Sequence, residues 1–589
     1  MPHDGILQRG DSCWRRAALV LLAAVALPAA ADGDLVIVNA DVLPMNEERI
    51  LERHNVVIRD GRIVEIVAAD EPVPEDLPRL DGAGRYLMPG LGDLHTHVRN
   101  SGELSNYLAW GVTTILHLGG SGESGETLLR FRDEVRTGAR RGPNVYTTNR
   151  VFDGDPALPR GALSLTDAEE ARRQVRAVRN EGYDFVKIYN NVSRPVFAAI
   201  VDEADRQDLA VIGHIPRNFD SEDALSGGQD AVAHTEEFFF TYFDGPRSTE
   251  NMARDFAIDE SRIPELTGLL VENAVATMPD LSFSFTNLLM WDDLSLVWQD
   301  PEADYLHPST LAMWRSSNLN RRPDLDRFIL REQRKYGLMQ KLTFAFQQAG
   351  VLQVIGTDAS LPGLFPGKAA HRELTELVKA GLTNFEALAV GTRNAGEFIR
   401  RYIDPSMRTG QILEGYAADL VLLAANPLED VRNARRIDAV IVAGRVSDRA
   451  ALDRTRSALR DRYAMLGSLQ SDVEEAIRSE RLAEALRALI ASHESDEEAL
   501  GVIENRLNSA GYAAAFADDL DEAERLLTAN TELFPDSANA WDSLAEVVLY
   551  RGDRERALAL YRRALSVDPG FVNAADKIRE IESDVSKER

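Results

Sequence analysis

The sequence predicts an α/β protein in which a (β/α)8 TIM barrel is joined to a small β-sandwich and followed by an α-helical repeat domain. Short apolar runs, typical of buried parallel strands, alternate with helical patterns over 86–401. Further short strands flank this region over 32–85 and 402–447. Charged helices rich in alanine and leucine follow, with a helical linker predicted over 448–472 and the repeat domain over 473–589. At 589 residues the chain is too long for one ordinary domain, which agrees with this division.

The composition is that of a globular protein with an excess of acidic side chains. Hydrophobic residues make up 44% of the chain and charged residues 27%, as in ordinary soluble domains. The net charge of -29 opposes binding to nucleic-acid backbones, because such binding needs a basic surface. We therefore expect no nucleic acid among the partners of this protein.

The first 31 residues have the pattern of an export signal. Two arginines precede an apolar run over 17–30, and three alanines over 29–31 offer a small-residue cleavage site. The run is shorter than the roughly 20 residues of a membrane-spanning helix; an uncleaved membrane anchor is the alternative interpretation. The sequence thus predicts a signal peptide over 1–31, a periplasmic or secreted protein, and no stable membrane span after cleavage. Cys13 is the only cysteine and would leave with this segment, so we expect no disulfide.

The predicted β-sandwich draws on both flanks of the barrel. Its strands are predicted over 35–38, 55–58, 62–66, 419–423 and 438–443. An Asp60-Gly61 pair between the second and third of these runs is a strong hairpin signal. Because neither flank alone supplies enough strands for an independent domain, we expect the two sets to combine beside the barrel.

The barrel region contains further strands and one long insertion. Strands are predicted over 112–116, 144–148 and 275–278, and an amphipathic helix over 167–180. Between the seventh and eighth strands lies a largely helical insertion over 281–349, which contains three tryptophans. A long segment at this end of a barrel is a candidate lid over a site. Its aromatic residues fit a packing role equally well, and both interpretations are open.

A repeat lies near the C-terminus, with the ~34-residue period of tetratricopeptide repeats. The matching positions of its two copies are Leu507, Phe516, Ala523, Leu527 and Pro535, then Trp541, Tyr550, Ala557, Tyr561 and Pro569. Such repeats stack into helical solenoids. We expect this TPR-like domain to pack on its own chain, to form a homo-oligomer or to recruit a protein partner. Truncation near Ser457 is expected to leave the preceding domains folded.

The centre of the predicted site is a pair of histidines at a strand end. His95 and His97 end a short strand that begins after a turn formed by Pro89 and Gly90. Residues two apart on a strand share a face, so the two imidazoles project together. Two converging imidazoles form half of a metal site, and zinc accepts such nitrogen ligands. A pair of surface histidines in a loop is the alternative interpretation.

Four more potential ligands lie at or near the ends of later apolar runs. They are Lys187, His214, His234 and Asp358. The carboxyl ends of barrel strands are where (β/α)8 enzymes keep their chemistry. A single buried histidine usually serves a structural hydrogen bond, but agreement among five strand ends favours a common site.

On these residues the chain resembles the amidohydrolase superfamily, and within it the binuclear metal-dependent branch with prolidase-like and imidazolonepropionase-like proteins. The resemblance runs over about 34–447 and includes the tail motifs over 392–395 and 410–420. The ordered set of His-x-His, Lys, His, His and Asp is specific to the superfamily and much less specific to a substrate.

The resemblance implies two divalent metal ions, and zinc is the first choice for an imidazole-rich site. The ligands would divide as His95, His97 and Asp358 for one ion, and His214 and His234 for the other. Lys187 would bridge them after its amine reacts with carbon dioxide to form a carbamate, because a protonated ammonium offers a metal no lone pair. A buried or salt-bridged lysine is the alternative interpretation.

The resemblance also implies roles in the reaction. A metal-bridging hydroxide would be the nucleophile at neutral pH, and Asp358 would take its proton and pass it to the leaving amine. Three further residues are candidate substrate contacts: His117 after the second strand, Tyr189 on the face of Lys187, and His371 in a recurrent family motif. A structural hydrogen bond is the alternative role for each of these three.

We therefore predict an exported metal-dependent amidohydrolase whose substrate is a small molecule with an amide bond, a dipeptide or an N-acyl amino acid. One alternative is a hydrolase of a cyclic amide, a lactone or another ester, which the sequence does not separate from the first. A second alternative is a non-catalytic binding scaffold that assembles through the TPR-like repeats. The complete ligand set favours an enzyme, because a scaffold has no need of a binuclear site.

Overall fold

The computed structural model describes residues 33–120, 125–158, 162–244, 257–293, 295–316 and 325–587. The predicted signal peptide over 1–31 lies outside the described residues. Within those ranges, no helix combines the length and apolarity needed to cross a lipid bilayer. The described chain is a mixed α/β protein with parallel sheets and a helical C-terminal region.

The strands of the described chain fall into an early set, a central set and a late set. They are β1 (Leu35–Val42), β2 (Leu51–Arg59), β3 (Arg62–Ala68), β4 (Arg79–Asp81), β5 (Tyr86–Pro89), β6 (Leu91–Thr96), β7 (Val112–His117), β8 (Asn144–Thr147), β9 (Val151–Asp153), β10 (Leu163–Ser164), β11 (Phe185–Ile188), β12 (Ala210–Gly213), β13 (Ala231–Ala233), β14 (Ala276–Met278), β15 (Leu420–Leu423), β16 (Ile437–Val442) and β17 (Arg445–Asp448).

The α-helices alternate with the central strands and then continue alone. They are α1 (Gly102–Ala109), α2 (Gly125–Thr137), α3 (Ala168–Asn180), α4 (Arg194–Arg206), α5 (Ser221–Ser226), α6 (Glu236–Phe238), α7 (Ile263–Glu272), α8 (Leu281–Asp292), α9 (Ser295–Trp298), α10 (Pro308–Ser316), α11 (Leu325–Ala349), α12 (Lys368–Lys379), α13 (Asn384–Gly391), α14 (Arg393–Phe398), α15 (Arg449–Arg478), α16 (Leu482–Ser492), α17 (Glu497–Phe516), α18 (Leu520–Leu533), α19 (Ala538–Tyr550), α20 (Arg554–Val567) and α21 (Val572–Lys587).

Strands from both flanks of the chain share one sheet. Its order is β17-β16-β15-β5-β1-β2-β3, with β4 also pairing with β1. The hairpin predicted at Asp60-Gly61 is confirmed, because β2 and β3 are antiparallel and Arg59 faces Arg62 across the turn. The structure differs from the sequence-based boundary at β5. This strand pairs with β15 and β1, so it belongs to this sheet and the central parallel strands begin at Leu91.

The central strands are parallel to one another. One set has the order β6-β7-β8 and the other β10-β9-β11-β12-β13-β14. The helix predicted over 167–180 is confirmed as α3, whose N-cap Asp167 accepts a hydrogen bond from the Glu170 amide. Between β14 and β6 runs the segment 352–359, which makes parallel bridges from Gln353 to Thr277 and from Ala359 to Thr96.

One apolar core unites residues from successive parallel strands. Its buried members include Leu94, Leu116, Phe185, Ile212, Ala233, Met278 and Val354. A second core forms where α3, α4 and α7 cover the other face of the strands, with Val175, Ile200 and Leu270 buried. The parallel strands are therefore buried on both faces, as their continuous apolar sequences indicate.

The insertion over 281–349 is largely helical where it is described, as predicted. It contains α8, α9, α10 and α11. Trp291 and Trp314 are only 6% and 2% exposed, and Trp298 packs against the same local cluster as Trp314. The packing interpretation of these aromatic side chains therefore holds for this insertion.

The C-terminal region is helical throughout its described length. The segment predicted as a linker over 448–472 consists of the N-cap Asp448 and the first part of α15, an unbroken helix of 30 residues. Asp519 and Asp553 cap α18 and α20 by accepting hydrogen bonds from the amides of Glu522 and Arg556. These two caps lie at equivalent positions of the sequence repeat. The assignment of the repeats to the tetratricopeptide class stays a prediction.

Candidate metal centre

The predicted ligands lie at one end of the parallel strands. His95 is the penultimate residue of β6, Lys187 is in β11, and His214 and His234 directly follow β12 and β13. Because parallel strands end at the same edge, these side chains meet although they are far apart in sequence. Asp358 lies three residues after Ile355. The carbonyl oxygen of Ile355 accepts a hydrogen bond from the Leu94 amide, which holds this segment beside β6.

Four imidazoles form a continuous cluster. The ring centroids of His95 and His97 are 5.3 Å apart, and those of His95 and His234 are 4.4 Å apart. His214 lies 4.9 Å from His234 by the same measure. His95, His214 and His234 are buried, while the His97 side chain is 16% exposed. The structure thus brings together all four histidines predicted as ligands.

Asp358 lies against this cluster. Its Oδ1 atom is 2.9 Å from Nε2 of His97 and 3.5 Å from Nε2 of His95. Its Oδ2 atom is 3.9 Å from Nε2 of His234. Burial acts to raise the pKa of this carboxyl, but the hydrogen bond from His97 and the charges of His234 and Lys187 hold the pKa at about 2. His95, His97 and Asp358 have ligand atoms close enough together to hold one ion.

Lys187 is buried at the floor of the cluster. In the part of the chain that the structure describes, its Nζ atom has no hydrogen-bond partner. Burial lowers the pKa of this amine to about 8, although the carboxylates of Asp358, Asp280 and Glu237 act in the opposite direction. A buried amine without a partner is costly, so this position fits a lysine that is completed by a further group.

Asp280 is a site residue that sequence reasoning missed. Its Oδ2 atom lies 2.5 Å from Nδ1 of His234 and 3.2 Å from Nδ1 of His95. These contacts leave the Nε2 atoms of both rings on the side of Asp358. Asp280 follows the apolar strand β14 by two residues, which is the same signal that marked the other ligands. His95, His234 and Asp280 also form a group able to hold an ion.

Glu237 is a second missed residue, and it holds His214. Its Oε1 atom lies 3.2 Å from Nδ1 of His214, and its carboxylate accepts hydrogen bonds from both Nη atoms of Arg217. Burial acts to raise the pKa of Glu237, yet Arg217 and His214 keep it at about 2. The Oδ1 atom of Asn190 also lies 3.0 Å from Nδ1 of His214. Carboxylate support of this kind fixes the orientation of metal-binding imidazoles.

Replacing Glu237 by glutamine is expected to weaken metal binding by roughly 10- to 100-fold, the usual effect of losing such a partner. The amide keeps the shape of the side chain but leaves the buried Arg217 guanidinium without its counter-charge. Competition with a chromogenic chelator measures the affinity. Glu397→Gln, at a half-exposed ion pair with Arg400, is the matched control. Equal affinities in the two variants would contradict a role for Glu237 at the site.

The backbone at three of these positions is left-handed. The φ angles are 72° at His234, 51° at Asp280 and 59° at Asp358. Residues with a side chain seldom adopt this conformation, and it concentrates at functional sites where the surrounding structure maintains it. The strand ends therefore turn sharply at the residues that face the cluster.

Two of the predicted substrate contacts lie beside the cluster. The His117 ring is 6.2 Å from His97, and its Nδ1 accepts a hydrogen bond from the Val98 amide. The His117 proton therefore resides on Nε2, and burial lowers the pKa of this ring to about 3. The Tyr189 ring lies 4.0 Å from His214.

His371 makes a different contact from the one predicted. Its Nε2 atom is 2.7 Å from the carbonyl oxygen of Trp110, and its ring lies 5.5 Å from the Trp110 ring. It therefore joins α12 to the end of α1 by a buried hydrogen bond, which is the alternative role considered for it.

The chain has measurable similarity to known proteins. No family model matches it. It is 24% identical to ochratoxinase from Aspergillus niger over an alignment of 467 residues, and the match covers 68% of this chain and 83% of that protein. A putative prolidase from Bifidobacterium longum superposes with a TM-score of 0.53 and 24% identity, covering 73% of this chain and 99% of the other. A bottromycin amidohydrolase superposes with a TM-score of 0.57 and 23% identity, covering 73% and 90%.

These relatives and solved structures share one class of fold, that of the amidohydrolases. The chain shares the fold of these proteins, and its homologues and structural neighbours are amidohydrolases. The resemblance inferred from the sequence motifs is confirmed at this level.

Proposed function

We propose that this protein is a metal-dependent hydrolase that cleaves an amide bond in a dipeptide or an N-acyl amino acid. The observation that carries the proposal is the convergence of four imidazoles and Asp358 above the buried, unpartnered amine of Lys187. The similarity to a prolidase and a bottromycin amidohydrolase supports the choice of an amide bond.

We propose further that the parallel strands close into a (β/α)8 barrel. The segment 352–359 bridges β14 to β6 at one junction. At the other junction, the Asp184 amide donates to the carbonyl oxygen of Thr147 at the end of β8, and β9 then pairs with β11. The common core of side chains from successive strands supports this closure, because the interior of an eight-stranded barrel is filled in this way.

The donor set fits two divalent ions. His95, His97 and Asp358 would hold one ion and His214 and His234 the other, with Lys187 between them as a carbamate. Imidazole-rich sites suit zinc. Because burial lowers the pKa of the Lys187 amine, a larger fraction of it is neutral at pH 7 than for an exposed lysine. Only the neutral amine reacts with carbon dioxide, so burial favours the modification.

The residues of the chain divide the remaining work. Divalent ions bound here would supply activated water and polarise the scissile carbonyl. Asp358 would accept a proton and deliver it to the departing amine, which leaves poorly without protonation. Asp280 and Glu237 hold His95, His234 and His214 in fixed orientations. The Nε2–H group of His117, beside His97, is a donor for a polar group of the substrate.

Metal analysis of the purified protein, followed by a screen of dipeptides, N-acyl amino acids and lactones, tests this function. We expect two divalent ions per chain and turnover of an amide substrate that is lost in His97→Asn. His493→Asn, in the turn that follows α16 of the helical region, is the matched control. Turnover of lactones but of no amide would mean that the protein hydrolyses an ester bond and not an amide bond. A chain that binds no metal and hydrolyses nothing would overturn the proposal in favour of a scaffold.

We propose a periplasmic or secreted location from the export pattern over 1–31. The mass of the exported protein tests this location, because loss of about 31 residues from the N-terminus is expected after export. We propose also that the C-terminal TPR-like helices serve packing, homo-oligomer formation or partner binding. Light scattering of the full chain separates a monomer from an oligomer.

A further inference from the structure

The loop that follows Asp358 is tied to the rest of the protein through Ser360. The carbonyl oxygen of Ser360 accepts hydrogen bonds from Nε of Arg99 and from Nε1 of Trp314, at 3.2 and 3.1 Å. Its hydroxyl donates to Oε2 of Glu103 at 2.9 Å. Ser360 and Glu103 are 0% and 1% exposed. The position of Asp358 is therefore set in part by what holds Glu103 and Trp314.

Glu103 is linked in turn to the C-terminal helix α15. Its Oε1 atom accepts a hydrogen bond from Nδ2 of Asn100 at 3.4 Å. Oδ1 of the same amide accepts a hydrogen bond from the Tyr463 hydroxyl at 2.7 Å. Tyr463 lies on α15 and is 5% exposed. A partly buried chain of hydrogen bonds thus connects Tyr463, which lies outside the parallel strands and their helices, to the loop of Asp358.

The close approach of α15 to the start of α1 depends on the small size of Gly102. A Cβ atom placed on Gly102, at the start of α1, would lie 2.0 Å from the Tyr463 hydroxyl and 2.7 Å from Cδ1 of Leu459. Such contacts are far inside van der Waals distance, so a larger residue at Gly102 must displace the Tyr463 ring and the end of the Leu459 side chain. The docking of Tyr463 is therefore specific in geometry as well as in hydrogen bonding.

The same face of α15 holds the insertion in place. Arg456 pairs with Glu302 at 2.6 Å, and Glu302 also accepts from Nε1 of Trp110. The side chains of Arg456 and Glu302 are 14% and 11% exposed, so this ion pair is largely desolvated. His307, which precedes α10, lies edge-on to the Tyr463 ring at 5.3 Å. These contacts fix the segment that carries Trp314.

We propose that Tyr463 is a positioning residue for the acid–base group, and that α15 is part of the catalytic unit. This inference rests on the proposed function, since it concerns the placement of Asp358. Tyr463 acts through Asn100, Glu103 and Ser360, and it does not touch the metal cluster. Misplacing a reacting group by about 1 Å can cost up to 100-fold in rate, so a partial loss of this chain should be measurable.

The test compares Tyr463→Phe with Tyr512→Phe in the full-length, metal-loaded protein. Both changes remove a tyrosine hydroxyl that makes one hydrogen bond, and the Tyr512 hydroxyl donates to Glu546 inside the helical region. We expect Tyr463→Phe to keep its metal and KM but to lower kcat for an amide roughly 5- to 20-fold. The loss of kcat should be smaller for an activated ester, because its leaving group departs without protonation. Tyr512→Phe should resemble the wild type in every respect.

Hydrogen exchange of the segment 357–361 supplies a readout that does not depend on activity. Tyr463→Phe should exchange at least about threefold faster there than Tyr512→Phe, and Gly102→Ala should reproduce the effect by displacing the Tyr463 hydroxyl. Equal kcat losses for amide and ester, or loss of metal, would make Tyr463 a purely structural residue and overturn the proposal. Exchange of the segment 357–361 that is unchanged in both Tyr463→Phe and Gly102→Ala would also overturn it. If the wild type hydrolyses nothing, the proposed function fails and the exchange result alone decides the positioning role.

Discussion

Lys187→Ala is expected to lose most of its bound metal and to reduce hydrolysis by at least about 1,000-fold, because the variant lacks the group that would join the two ions. The side chain is buried and its amine has no partner among the described residues. Removing it therefore breaks no hydrogen bond to the residues that the structure describes. The variant should fold normally, and its metal content by mass spectrometry should be the first property to change.

Rescue distinguishes a missing bridge from a damaged fold. A short carboxylic acid such as acetate or propionate fits the space left by the side chain and should restore part of both metal content and activity. Lys341→Ala, at a half-exposed lysine on α11, is the control and should match the wild type. Full metal content and turnover in Lys187→Ala would overturn the binuclear assignment.

Asp358→Asn is expected to retain substantial metal while kcat for an amide falls by roughly 10²–10⁴, the usual contribution of general acid–base catalysis. Asparagine keeps the shape and one oxygen of the side chain, but it cannot carry the proton from the nucleophile to the leaving amine. Because His97, His234 and Lys187 hold the Asp358 carboxyl in its charged form, the aspartate is ready to accept that proton. An activated ester should suffer a smaller loss, since its leaving group departs unprotonated.

Measured kcat values for the amide and the ester decide the role of Asp358. Asp304→Asn, at an exposed position of the insertion, is the control variant. An equal loss for both substrates would leave Asp358 as a metal ligand only. Wild-type turnover in Asp358→Asn would remove it from the mechanism altogether.

The boundary of the catalytic unit is where structure changes the interpretation most. Sequence patterns place the end of the catalytic region near Ser447 and treat the next residues as a linker. A cut near Ser457 would instead divide α15 and remove Tyr463 and its link to Asn100. It would also leave much of the face of α1 uncovered. A truncated protein in which α15 stays attached to the catalytic region is therefore the better choice for studying that region without the later helices.

The sequence by itself determined the parallel strands, the helices between them and six residues of the candidate site. Each of these residues lies at or near the end of a short apolar run, and the resemblance to a known family selected them from other polar residues at such positions. His95, His97, His214 and His234 meet in one cluster because every such run ends at the same edge of a parallel sheet.

Only the tertiary structure decided which carboxylates support the cluster and which residues lie outside it. Asp280 is 185 residues from His95 in sequence, and Tyr463 is 363 residues from Asn100. Aspartate, glutamate and tyrosine are common polar residues, and their role depends on a partner that local sequence does not specify. His371 shows the opposite case. It lies in a recurrent family motif that predicted a place at the site, yet its Nε2 atom contacts the carbonyl oxygen of Trp110 and not the cluster. Periodicity reports the direction of a side chain, whereas packing between distant segments fixes what that side chain meets.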